Sequence, residues 1–484
     1  MIEVSLIIYL SALVIIFMYC LMQLTLIISH FRYRELSPEI PEKNNWPKVT
    51  IQLPVYNEQY VVKRLIDKIC EINYPRELLE IQVLDDSDDQ TTTILKERIS
   101  HYQKLGFDIE LIRRTDRVGF KAGALAFGMT LCKGEFIAIF DADFLPQRDF
   151  LTRTLPLFEN PRIGTIQTRW EHINEEYSLL TRLQAFGLDA HFFIEQTGRE
   201  AGNHFLNFNG TAGIWRKKTI EDAGGWSPDT LTEDLDLSYR AQLKGWKIQY
   251  LRSLDSPAEL PVTMPAIKSQ QYRWMKGGAE CFVKSAGKIK KAGDMTFWSK
   301  IQGYYHLLNS SVFLSVVLLA FSSVPLVLKA DVFNQYKEII NYTALFQVNW
   351  IILGAFYWLA FRRKNSSLLQ FTGRFFMFLT FMMGLSLHNS LAVIEGFLGR
   401  KTPFIRTPKF NVLAKEDSWK GNIYSLGKVG WLTYIETVIA FVFLLMLFID
   451  LQKGIYGMLP FHFMVFLGYA LVVFYTLKHA LFSR

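Results

Sequence analysis

The chain predicts an α/β domain with a mostly parallel sheet, joined to a helical membrane domain. Three observations carry that expectation. Between Lys48 and about Ile289, short β-rich runs alternate with amphipathic helical stretches. Apolar runs long enough to cross a bilayer flank that block on both sides. Acidic residues stand directly after the predicted strands.

The first segment, Val4 to Ser29, carries no charge and is followed by His30-Phe-Arg32-Tyr-Arg34. A helix crosses the hydrocarbon core in about 20 residues at about 1.5 Å per residue. The run lacks the basic start and the shorter apolar stretch of a cleaved leader, so residues 1–34 predict an uncleaved span. Its basic flank follows the helix, which places the N-terminus outside and the central domain in the cytosol.

Within the central domain, 48–289, four buried strands are predicted at Val49–Leu53, Ile81–Leu84, Ile109–Ile112 and Phe136–Phe140. Helices near 58–71, 90–104 and 120–132 separate them. Strands alternating with helices imply right-handed βαβ units. Ligands of such sheets sit at the carboxyl ends of the strands, where the acids fall.

The C-terminal region, 295–484, predicts spans near 307–328, 344–361, 431–450 and 457–477. A further run, 371–395, carries Arg374, His388, Asn389 and Glu395. Arg362-Arg363-Lys364 and the basic stretch from Arg400 to Lys415 both suit the cytosolic side. They share that side if 371–395 lies in the interface or dips in and out; the alternative is a full extra span. The net charge of +8 is explained by these flanks and requires no nucleic acid. Cys20, Cys70, Cys132 and Cys281 form no C-x-x-C pair, which argues against a disulfide framework or zinc site and suits a reducing compartment.

Four motifs could carry chemistry, and each has a plainer reading beside it. Asp85-Asp86 follows a buried strand: one carboxylate could bind a nucleobase or ribose, or the pair could cap the next helix with Ser87 and Asp88. Asp141-Ala-Asp143 ends the strand Phe136–Phe140. Residues i and i+2 of extended chain share a side, so two carboxylates could converge on a hard divalent cation, Mg²⁺ or Mn²⁺, and on phosphate; a lone D-x-D also arises commonly by chance. Thr232-Glu233-Asp234 opens a helix through Lys244 that Gly245 stops. Asp234 could act as a general base, while Thr230 and Glu233 have capping-box spacing. Gln270-Gln-Tyr-Arg273-Trp274 joins an amide, a guanidinium for diphosphate oxygens and an indole face for a sugar ring, or anchors the chain at a membrane surface. Lys121 is a candidate phosphate contact, and Asn209-Gly210-Thr211 a turn that lets backbone approach a ligand.

Taken in order, Gln82–Ser87, Gly119–Leu125, Ile139–Phe144, Phe208–Trp215, Glu233–Leu237, Lys244–Lys247 and Gln270–Trp274 resemble the processive inverting glycosyltransferases of family 2. These are the cellulose, mannan and hyaluronan synthases; the likeness is strongest to plant cellulose synthase-like mannan and glucan synthases. It spans about Lys48 to Lys409. The resemblance implies a GT-A fold, with an Asp of the 85–86 pair on the nucleotide and Lys121, Asp141 and Arg273 on the nucleotide sugar. Asp141 and Asp143 would hold the metal, and Asp234, with Glu233 beside it, would supply the base. Gln270, Trp274, Gly210 and Thr211 would line the acceptor. It further implies a channel between the membrane helices and a gating loop, here Phe404-Ile-Arg-Thr-Pro-Lys409. That loop keeps Phe404, Thr407 and Lys409 but has Arg406 where Val is usual.

The expected activity is transfer of mannose or glucose from GDP-mannose or UDP-glucose to a β-1,4-linked polysaccharide. The alternative is a non-processive lipid glycosyltransferase resembling ceramide glucosyltransferase. The short plain N-terminus and lack of a targeting tail favour a bacterial plasma membrane over the Golgi.

Overall fold

In a computed structural model, residues 2–35, 45–329, 343–424 and 429–481 are described. Part of the predicted C-terminal region, 330–342, therefore lies outside the described residues.

The central sheet has seven strands in the order β3-β2-β1-β4-β6-β5-β7. They are β1 Val49–Val55, β2 Leu79–Asp85, β3 Asp108–Ile112, β4 Phe136–Ile139, β5 Ile163–His172, β6 Gly213–Arg216 and β7 Lys247–Ala258. β6 runs antiparallel to both neighbours, and every other pairing is parallel. The first four strands are those expected from the apolar runs, and β1, β2 and β4 are buried along almost their whole length. Helices Val62–Cys70 and Thr91–Lys104 pack on one face of the sheet and helix Phe120–Leu131 on the other. Covering both faces is what makes the inner strands continuously apolar rather than alternating.

Among the described residues, five helices are long and apolar enough to cross a membrane: Ile2–His30, Phe297–Leu328, Thr343–Phe361, Trp431–Lys453 and Leu459–Leu481. They support a multi-pass membrane protein. The run 371–395 forms helices Leu368–Gly384 and Ser386–Phe397, bent by 52° at Leu385, a shape that fits a broken span or a re-entrant pair. The two halves pack on different neighbours, helix Leu459–Leu481 and helix Met264–Lys291 respectively. Helix Met264–Lys291 joins the two domains. Its Met264 N–H donates to His479 (2.9 Å), and Lys268 pairs with buried Glu436 (2.6 Å).

Candidate active site

The carboxyl ends of β1, β2 and β4 open onto a cavity of about 190 Å³ that holds Glu58, Asp86, Lys121, Asp141, Asp143, Glu233, Asp234 and Arg273. The reversed β6 brings a second loop there. The Ala212 N–H donates to Ile139 O (2.9 Å) and the Asp141 N–H to Thr211 Oγ1 (2.9 Å), which presses residues 209–212 against the end of β4. Gly210 sits in that loop at φ +81°, and a Cβ there would come within 2.9 Å of Asp234 Oδ2. Glycine is required by conformation and by space.

Asp141 and Asp143 lie past the strand, in a turn closed by the Phe144 N–H on Asp141 O (3.1 Å). Both carboxylates line the cavity, but through this turn and not through the i, i+2 alternation of a strand. Each meets a lysine: Lys121 Nζ is 2.6 Å from Asp141, and Lys409 Nζ is 2.7 Å from Asp143. Buried Glu58 faces the same cavity with its Oε2 unpartnered. Among the described residues, no group of three or more His, Cys, Asp or Glu forms a protein-only metal centre. Two carboxylates nevertheless suit Mg²⁺ or Mn²⁺, because such an ion keeps waters and takes its remaining ligands from substrate phosphates. The donor set fits a divalent cation shared with a diphosphate.

Asp234 lies in the first turn of helix Glu233–Leu243. Its Oδ1 accepts the Leu235 N–H (2.9 Å). Burial, then the neighbouring Glu233 charge, pushes its carboxyl up to about 7, against the opposing charge of Lys121. Burial raises Glu233 too, with Lys121 opposing. The capping box that the Thr230 and Glu233 spacing allowed as an alternative does not form. Thr232 is the residue before the helix and makes no side-chain cap. Its side chain is pressed against Gly277 of helix Met264–Lys291, where a Cβ would fall 2.4 Å away. That close approach sets Arg273 and Trp274, one turn earlier, beside Asp234.

Residues 402–410 lie across the cavity mouth. Phe404 stacks on Phe120 (5.6 Å between centroids) and lies under the Arg273 guanidinium (4.8 Å). Arg273 Nη2 donates to Thr407 Oγ1 (2.7 Å). Arg406, the departure from the family pattern, reaches Glu58 (3.2 Å) and the Asn57 carbonyl, with its guanidinium 4.3 Å from the Tyr424 ring. The replacement thus adds a cationic contact to the strand end.

A second cavity, of about 330 Å³, continues from Asp234, Gln270 and Trp274 toward the membrane helices. Helix Ile2–His30 contributes Tyr19 and Gln23, helix Thr343–Phe361 contributes Tyr357, and helix Leu368–Gly384 contributes Phe378 and Phe381. The amide oxygens of Gln23, Gln184 and Gln271 in its wall are buried and unpartnered.

Residues 47–277 match the family model described as "Glycosyltransferase like family 2". The α/β domain belongs to that family. Glucomannan 4-beta-mannosyltransferase 9 of Arabidopsis thaliana is 42% identical over 281 residues, covering 57% of this chain and 53% of its own. Glucomannan 4-beta-mannosyltransferase 2 of the same plant is 43% identical over 267 residues, covering 54% and 50%. The chain spans about half the length of the curated relatives it matches. A mannosyltransferase from Pyrobaculum calidifontis, solved with GDP-Man and Mn²⁺, shares the fold at a TM-score of 0.54 and 17% identity, covering 83% of this chain and all of its own. The GT-A expectation for the fold holds.

The family 2 domain brings Asp86, Lys121, Asp141, Asp143, Gly210, Glu233, Asp234, Gln270, Arg273 and Trp274 to one cavity, together with Phe404, Thr407 and Lys409. Two expected residues stand apart. Asp85 is still in β2 and buried; its oxygens accept from the Ser87 N–H (2.9 Å) and the Thr92 hydroxyl (2.6 Å). It shapes the loop and leaves the cavity to Asp86, which Arg114 grips. Thr211 is buried, accepts the Asp141 N–H and lies outside the cavity lining. Glu58 and Arg117 went unpredicted. Arg117 lies 3.3 Å over the Tyr56 ring at the cavity wall. Their signal was present, because Tyr56-Asn-Glu58 follows a buried strand just as Asp85-Asp86 does.

Proposed function

We propose that this chain is a membrane-embedded, inverting and processive glycosyltransferase. It moves mannose from GDP-mannose to the end of a growing β-1,4-linked polysaccharide. The observation that carries the reading is the continuity of the two cavities at Asp234. A charged pocket for a nucleotide sugar opens into a passage between membrane helices, walled by aromatic rings and by buried amide oxygens without partners. Buried amide oxygens without a donor suit an occupant with hydroxyl groups, and aromatic faces suit sugar rings.

In this reading Asp234 takes the proton from the acceptor hydroxyl as its oxygen attacks the anomeric carbon. Its carboxyl at about 7 is near the working pH, where a base is both ionised and basic enough. Arg273 steadies the diphosphate, while Lys121 holds Asp141 and the Gly210 carbonyl (2.9 Å) in register. Asp141 and Asp143 would hold Mg²⁺ or Mn²⁺, which when bound neutralises charge on the departing diphosphate. The 402–410 segment acts as the gate over the donor.

The names of the relatives support mannose, a 4-beta linkage and a polysaccharide acceptor over a single lipid acceptor. The domain, reached from helix Ile2–His30, faces the cytosol in this reading. The relatives are plant proteins and lend no support to the bacterial plasma membrane expected from the chain ends.

The test incubates the reconstituted protein with labelled GDP-mannose or UDP-glucose, with and without a chelator, and digests the product with linkage-specific hydrolases. High-mass, mannanase-sensitive product that needs both GDP-mannose and the divalent ion is expected. A single sugar on an organic-soluble lipid would overturn the polymer reading, and glucan made from UDP-glucose alone would overturn the donor.

A further inference from the structure

Away from the catalytic cavities, helices Ile2–His30 and Thr343–Phe361 end side by side. An open cavity of about 410 Å³ lies there, lined by His30, Phe31, Leu359, Arg362 and Arg363. Among the described residues, positive charge gathers around it in excess of negative charge. Arg252 takes Glu35 (2.7 Å). Lys364, the next cation along, is spent on Glu171 (2.7 Å), Glu175 (3.4 Å) and Asp189 (3.1 Å). Arg362 and Arg363 make no ion pair among the described residues. Arg363 is instead braced over the Phe193 ring (5.0 Å), a contact that fixes its guanidinium without neutralising it. Partial burial and the charges of Arg252, Arg169 and Arg362 hold it below the usual arginine range, with Glu35 opposing. An added anion would relieve that repulsion.

The surroundings say what kind of anion. Phe31 is 68% exposed at the cavity rim, and Ile28 and Ile351 are exposed on the two helices that lead to it. In a membrane those apolar faces meet acyl chains, so the guanidiniums stand at the depth of a headgroup. A free inorganic ion would make no use of the apolar rim. We propose that this cavity seats the phosphate of an anionic lipid, with Arg362 and Arg363 binding the headgroup and Phe31 packing among its acyl chains.

The test places the full chain in nanodiscs of phosphatidylcholine mixed with phosphatidylglycerol and counts retained lipids by native mass spectrometry. Wild type should retain phosphatidylglycerol, and R362Q/R363Q should retain it about thirtyfold less tightly, since each basic residue near the surface contributes about one factor of five. Thermal unfolding checks that the double variant is folded. Phe31→Ala, which keeps both guanidiniums, should weaken retention less. Equal retention by wild type and R362Q/R363Q would overturn the site, as would equal retention of phosphatidylcholine. Release by inorganic phosphate at matched concentration would overturn the lipid and leave a plain anion site. None of these readouts depends on sugar transfer.

Discussion

The two cavities that meet at Asp234 are built from opposite chemistry. The cavity at the strand ends is crowded with charge: Lys121 on Asp141, Lys409 on Asp143 and Arg406 on Glu58. The passage beyond it is walled by rings and amides, and its charges thin to Glu195 and Asp234 itself. A leaving diphosphate needs fixed charge placed in advance. A chain that must slide needs the reverse, contacts that are individually weak and never a strong ion pair. In the proposed function the boundary between the two marks the reacting bond, with Asp234 on it.

The largest expected effect tests that boundary. Asp234→Asn should lower turnover about 10²–10⁴-fold while donor binding, measured by calorimetry with GDP-mannose, stays near wild type. Ordinary turnover in that variant would erase the division. The pH profile sharpens it. Burial raises the carboxyl to about 7, so protonation below that value removes the base. The rate should then fall about tenfold per pH unit on the acid side and level off above. A flat acid limb would show that another group takes the proton.

A smaller effect is expected at Arg406. Arg406→Val leaves Glu58 buried without its cation, and donor KM should rise about tenfold with kcat little changed. Pairing it with Glu58→Gln should restore most of the loss, which a merely structural defect would not allow. The smallest effect lies in the passage. Gln23→Leu removes a buried amide whose oxygen has no partner. It should shorten the product a few-fold, in line with about 1 kcal/mol for a hydrogen bond, while the first transfer to a short acceptor is unchanged. A variant that slows the first transfer and leaves length alone would place Gln23 in the wrong half of the comparison.

Much of the donor site was legible because acids that follow buried apolar runs announce strand ends. The split between Asp85 and Asp86 was not legible. It depends on where β2 stops: Asp85 still pairs with Val55 in the sheet, which turns its side chain inward to Thr92. The reading of Asp141-Ala-Asp143 as extended chain failed for a related reason, since β4 ends at Ile139 and a turn carries both carboxylates. The capping box at Thr230 and Glu233 is a local rule, and it lost to the contact of Thr232 with Gly277 from a distant helix.

By itself, the sequence determined the parts: a mostly parallel α/β domain, membrane helices on both sides of it, and the acids and Gln270–Trp274 as the groups with chemistry to offer. Local hydrophobic period and strand-end position suffice for that, because both act over a few residues. Only the tertiary structure decided which groups share a cavity. Lys409 and Asp143 are 266 residues apart, and no local rule relates them. Their pairing, the turn of Arg406 onto Glu58 and the passage through Tyr19 and Tyr357 follow from how helix Met264–Lys291 and the bent pair Leu368–Phe397 pack the two domains together.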